Sequence, residues 1–117
     1  MNIFKSLFGT ADQDEQVLKA LKKNGSDLNK PHEIDFWFDF RSEEAARAVA
    51  KKVSERGFEV EVHRGEDGLV FSCKAVKRMV PRLSAMQRLT REFESIAEQH
   101  AGVYDGWGAE VVTWKNL

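Results

Sequence analysis

The run His32-Glu33-Ile34-Asp35-Phe36-Trp37-Phe38-Asp39-Phe40 alternates along its length, with Ile34, Phe36, Phe38 and Phe40 at period two and Glu33, Asp35, Trp37 and Asp39 between them. Successive side chains of a strand point to opposite faces, so the run predicts a strand with one face in a core and the other acidic around a tryptophan. Before it, Asn24 to Pro31 is turn-rich, and Pro31 biases Lys30 towards extended backbone. Further back, Asp12 is placed to cap a helix running to about Lys23, with Val17, Leu18 and Leu21 on one side and Gly25 ending it.

After the strand, Ser42 is a cap candidate for a second helix, with Glu43 and Glu44 favouring its dipole and Ala46, Val49, Ala50 and Val53 at helical spacing up to Gly57. Phe58, Val60 and Val62 then alternate with Glu59, Glu61 and His63, and Gly65-Glu66-Asp67-Gly68 supplies a hairpin turn before Leu69. Leu69, Phe71, Cys73 and Ala75 share one parity, which predicts that Cys73 faces the core. Pro81 suits a helix start, and Met86, Leu89, Phe93, Ile96, Ala97 and His100 recur at helical steps until Gly102. Tyr104-Asp105-Gly106-Trp107-Gly108 reads as a turn, and Glu110 to Trp114 as a short edge strand.

The predicted order after residue 31 gives an α+β fold, a ferredoxin-like βαββαβ antiparallel sheet with two helices on one face, preceded by an N-terminal helix. Residues 1–31 form an apolar start, helix and linker, and residues 32–117 the ferredoxin-like domain. In that arrangement the first and third strands are central, and the uncovered face displays Asp35, Trp37 and Asp39 beside Ser72 and Lys74.

A chain of 117 residues, 42% hydrophobic and 32% charged, suits one globular domain. The single cysteine, Cys73, rules out an intramolecular disulfide and points to a reducing compartment, the cytoplasm. The apolar start, Ile3 to Phe8, is too short for a membrane span or an export signal. Eighteen basic against nineteen acidic residues give no overall attraction to nucleic acid or anionic lipid.

Burying an aromatic side chain is worth roughly 2 to 3 kcal/mol, so an exposed Trp37 calls for a cover. Two readings stand: the N-terminal helix or the Phe4/Phe8 segment folds over it, or it anchors a protein partner. In the second, Asp35, Asp39, Glu59 and Glu61 form an acidic strip suited to a basic segment and repel a phosphate backbone. A separate candidate for nucleic acid is the acid-free stretch with Lys77, Arg78, Arg82, Arg88 and Arg91, for which the alternative is pairing of Arg88 with Glu92 and Arg91 with Glu94 along a helix. No catalytic, cofactor-binding or metal-ligating set is legible. His32, His63 and His100 lack metal-ligand spacing, His100 reads as a helix-end residue, Cys73 has no nearby base, and Gly106 and Gly108 do not form a phosphate loop.

Three motifs resemble the regulator of ribonuclease activity B family: Asn24-Gly25-Ser26-Asp27 ahead of Pro31, Arg56-Gly57-Phe58-Glu59-Val60, and Tyr104-Asp105-Gly106-Trp107-Gly108, with Met79-Val80-Pro81 as a further helix entry. The resemblance spans most of the chain, and the last motif is the most specific. It implies a ferredoxin-like domain without catalysis or cofactor that inhibits ribonuclease E by binding outside its catalytic centre. Inhibitor-type members are strongly acidic, whereas this chain has a formal charge of -1. Within the motif, Trp107 is expected to plug a core edge and Asp105 to fix a turn. The expected function is therefore a regulator that binds a ribonuclease; the alternatives are RNA binding through the basic stretch and a general adaptor for other proteins.

Overall fold

The computed structural model describes residues 3–113, with side chains from residue 13 onward. The elements are α1 (Ile3–Lys23), β1 (His32–Phe40), α2 (Glu43–Ser54), β2 (Glu59–Arg64), β3 (Phe71–Met79), α3 (Leu83–Gln99) and β4 (Val103–Ala109). They form an α+β fold whose antiparallel sheet has the order β2-β3-β1-β4, with β1 and β3 central.

The alternation of β1 is realised residue by residue. Ile34, Phe36, Phe38 and Phe40 are buried, and Glu33 and Trp37 are exposed. Phe93 of α3 meets Phe36, Phe38, Phe58 and Tyr104 at centroid distances of 5.2–5.6 Å, mostly edge to face. Such pairs contribute about 0.5–1.5 kcal/mol each beyond area burial. Val49 and Val53 of α2 and Cys73 and Ala75 of β3 complete the same cluster, which Leu18 and Leu21 of α1 also join.

Four local expectations are corrected. First, α1 starts at Ile3, so Asp12 lies inside the helix and does not cap it. Second, Leu69 is 69% exposed and precedes β3. The Gly65 N–H bonds the Val70 carbonyl and Asp67 Oδ1 accepts from the Leu69 N–H, so the hairpin loop extends to Val70. Third, the Tyr104–Gly108 run is strand and not turn. Phe38 pairs with Tyr104 and Trp37 with Gly106, leaving Asp105 as the extra residue of a β-bulge, with Gly106 at φ 107°. Residues an odd number apart on a regular strand face opposite sides, and the bulge resets that parity so that Tyr104 and Trp107 are both buried. Fourth, the expected strand from Glu110 is not formed. Val112 instead donates its N–H to Ser26 Oγ and accepts from the Asp27 N–H; Trp114 lies outside the described residues.

Ser26 also explains the first motif. His32 Nδ1 bonds the Lys30 carbonyl, which can only accept, so Nδ1 carries a proton; in the neutral ring Nε2 then accepts from the Ser26 hydroxyl at 2.5 Å. One buried serine thus ties the linker to both the start of β1 and the segment after β4.

The other helix ends follow the sequence more closely. Ser42 Oγ accepts from the Ala45 N–H as the cap of α2. Pro81 lies two residues before α3, whose cap position is Arg82 without a side-chain bond. At the far end of α3 the left-handed residue is Ala101, at φ 55°, and not a glycine. Gly102 serves close approach instead: a Cβ there would stand 2.2 Å from Phe40 Cδ1 and 2.8 Å from the Asp39 carbonyl oxygen.

These adjacent residues should respond in opposite ways. Ala101→Gly relieves left-handed strain of about 1 kcal/mol and should raise the urea midpoint. Gly102→Ala forces a methyl against Phe40 and the β1 backbone and should lower stability by about 1–3 kcal/mol in the same titration.

Candidate functional site

The uncovered side of the sheet is assembled by register. Trp37 stands between Lys74 of β3 and Gly106 of β4, and Lys74 in turn pairs with Glu61 of β2. In the neighbouring rows Asp35 pairs with Val76, which pairs with Glu59, and Asp39 pairs with Ser72 and Val103. All five residues expected to form a partner surface, Asp35, Trp37, Asp39, Glu59 and Glu61, therefore lie on one face, together with Glu33 and Arg78 at its end.

Trp37 is 39% exposed and is the one exposed aromatic side chain among the described residues. α1 packs against α3 and β4, on the helical side of the sheet; the Phe4 and Phe8 side chains lie outside the described residues. The neighbour on the ring is Lys74, whose Nζ is 5.4 Å from the centroid, a contact worth about 0.5–1 kcal/mol at an exposed site. Val76 and the exposed Val103 flank Trp37 diagonally, so an apolar strip crosses a field of five carboxylates and two cations. Within that field Ser72 Oγ donates to Asp39 Oδ1 at 2.8 Å, and His63 Nε2 lies 2.9 Å from Glu61 Oε2. Val76 shares the parity of Ser72 and Lys74, which the sequence shows, whereas Val103 joins the face only because β4 begins at that residue.

The basic stretch is divided by the fold. Lys77 places its Nζ 4.8 Å from the Phe58 ring centroid, Arg78 shares the parity of Lys74, and Arg82, Arg88 and Arg91 are exposed on or beside α3. Glu92 pairs with Arg56, at the end of α2, and not with Arg88. Among the described residues neither Arg88 nor Arg91 forms an ion pair. Cys73 is fully buried, and burial pushes its thiol up to about 12. The three histidines are dispersed, His100 forming the C-cap of α3. Among the described residues no group of His, Cys, Asp and Glu is arranged to hold a metal ion, and no helix is long and apolar enough to cross a membrane.

A second polar centre, absent from the sequence reading, lies on the helical side. Asp14 of α1 is only 1% exposed, and its Oδ1 accepts from Thr90 Oγ1 at 2.7 Å and from Trp107 Nε1 at 2.8 Å. The bulge in β4 turns Trp107 inward to reach it. Burial raises the Asp14 pKa, opposed by the Thr90 and Trp107 hydrogen bonds; Glu94 adds to the rise and Arg91 opposes it. A signal was present: Asp14 precedes Leu18 by four residues and Thr90 follows Met86 by four, so each is a polar residue on an apolar stripe.

Both buried groups give measurable consequences. The folded chain holds the Asp14 proton to higher pH than the unfolded one. Its contribution to stability is therefore complete below the unfolded pKa, about 3.8, and is lost as pH rises through the folded value. Wild-type stability relative to Asp14→Asn should thus be greatest in acid and fall as pH is raised, in paired denaturant titrations; a pH-independent difference would contradict a raised pKa. Cys73 should resist thiol-reactive disulfide reagents in the native protein and react promptly in denaturant.

The family model for regulator of ribonuclease activity B matches residues 11–109, from within α1 to the end of β4. The matched span contains Asp14, Trp37, Thr90 and the bulged Tyr104–Gly108 run. The chain is also similar to a curated protein called "Regulator of ribonuclease activity B" from Pseudoalteromonas atlantica (strain T6c / ATCC BAA-1087). The two are 27% identical over 99 residues, which cover 81% of this chain and 85% of that protein. With most of its length matched, both faces of its sheet included, the chain belongs to the regulator of ribonuclease activity B family.

Proposed function

We propose that this chain is a non-catalytic cytoplasmic regulator that binds a ribonuclease of the ribonuclease E type through the open sheet face, modulating RNA turnover without cleaving RNA. The observation that carries the surface is Trp37, exposed on a central strand where register sets it among Asp35, Asp39, Glu59 and Glu61. Family membership supports the ribonuclease as target. The strand order, with β1 and β3 central, supports reading residues 32–117 as a ferredoxin-like domain that presents this face.

The face suits a basic segment carrying an apolar residue. The apolar group lies along Val76, Trp37 and Val103, and flanking arginines or lysines meet the carboxylates. Charge of this kind contributes more to encounter rate and to rejection of wrong partners than to raw affinity, so the anchor is assigned to Trp37. The same carboxylates disfavour a phosphate backbone here. RNA contact, the second reading, falls instead to Arg88 and Arg91, exposed and without ion pairs among the described residues.

The test uses a purified ribonuclease E-type enzyme, with binding and substrate cleavage measured together. Wild type should bind and slow cleavage, and Trp37→Ala, its thermal midpoint checked, should weaken binding by about 2 kcal/mol, roughly thirtyfold. Unchanged affinity in that variant removes the face, and no binding by wild type removes the target. Binding lost on combined Arg88 and Arg91 replacement, and only with RNA present, would favour the second reading.

A further inference from the structure

The buried carboxylate of Asp14 borders a cavity of about 330 Å³ between α1, α3 and β4. This falls at the small end of the range for ligand pockets, about 300–1,000 Å³. Its walls are largely apolar, formed by Val17, Tyr104 and Trp107, with Thr90 beside the acid. Asp14 and Thr90 are buried while Gln16 and Ala20, which also line it, are exposed. The cavity therefore has an inner polar end and a mouth on α1.

The acid is asymmetrically satisfied. Both of its hydrogen bonds fall on Oδ1, whereas Oδ2 is buried and has no donor among the described residues. A carboxylate fixed by a tryptophan N–H and a threonine hydroxyl cannot turn Oδ2 to another partner without breaking both bonds. A buried acceptor left unmade costs about 1–3 kcal/mol, more when charged, and a donor that enters the cavity recovers that cost. The donor needs hydrogen on nitrogen or oxygen, and positive charge makes it a better match for an ionised acid in a low-dielectric site.

From this the geometry points to a small-molecule site: the cavity takes a small organic cation, an amine or amidine on an apolar body, with its charged head on Asp14 Oδ2 and its body against Trp107 and Val17. The site is on the helical side of the sheet, away from the Trp37 face, and does not depend on the ribonuclease reading. Three features favour a small ligand over a macromolecule: the buried position of the acid, the limited volume, and walls drawn from three packed elements.

Benzamidine and its neutral isostere benzamide are suitable probes, titrated into the isotopically labelled 117-residue chain and followed by the indole N–H resonance of Trp107. That resonance is assigned among the three tryptophans with Trp107→Phe. Benzamidine should shift it saturably, with an affinity at least about tenfold above that of benzamide. Asp14→Asn should abolish the preference for the cation, and Ala20→Phe should block both probes while leaving the Asp14 hydrogen bonds in place. Ala20→Phe also decides the matter if Asp14→Asn does not fold. The assignment is overturned if benzamidine gives no saturable shift at millimolar concentration, if benzamide binds equally well, or if Ala20→Phe binds as wild type.

Discussion

A central strand has to satisfy two environments with one sequence, and β1 does so through its register. Ile34, Phe36, Phe38 and Phe40 are each worth about 1.5–3 kcal/mol when fully buried. A slip of one residue would send all four to water and turn Glu33, Asp35 and Asp39 into the core, where unpaired carboxylates cost several kcal/mol. Any pairing of β1 shifted by an odd number of residues is therefore disfavoured. Because the core fixes the register, it also fixes what stands on the other side: Trp37 beside Lys74, Asp35 beside Val76, Asp39 beside Ser72. The arrangement of the open face is thus a by-product of core packing, and only the identities of its residues are free to serve binding.

Legibility in the sequence tracks how local the controlling interaction is. β1, α2 and the two strands of the β2–β3 hairpin follow from periodicity and caps within a few residues, although the loop of that hairpin runs on to Val70. β4 does not, because Asp105 and two glycines carry turn chemistry, and only the pairing of Phe38 with Tyr104 and Trp37 with Gly106 shows that this chemistry is used for a bulge. The start of α1 was misplaced for a related reason: Asp12 suits a cap, but helix already precedes it. Asp14 and Thr90 are 76 residues apart, and nothing short of tertiary packing brings them together. The face around Trp37 was readable because parity is local. The cavity beside Asp14 was not, because three elements make it.

The motifs of the chain accordingly divide by role. Ser26 and His32 fasten the linker to β1 and to Val112, Gly102 admits Phe40, and the β4 bulge aims Trp107 at Asp14. These are devices of folding. The residues assigned to partner contact lie instead on outward-facing positions of all four strands, where strand geometry asks only for side chains that tolerate water. Net charge is a poor guide to such a surface: a chain with a formal charge of -1 still concentrates five carboxylates on one sheet face and leaves arginines on α3 behind it.

The open face and the cavity lie on opposite sides of the sheet but share β4. Gly106 stands opposite Trp37, and Trp107, one residue on, donates to Asp14. A bulge is a discrete arrangement, not an elastic one: moving the extra residue from Asp105 to Tyr104 would take Tyr104 off Phe38 and put Asp105 opposite it. Occupancy of the cavity therefore influences the face only if it favours one bulge register over another, by the difference in its affinity for the two. The burial of both aromatic residues and the Asp14 hydrogen bond all favour the observed register. A ligand that adds a bond to Oδ2 reinforces it, holding Trp37 in its present row rather than displacing it.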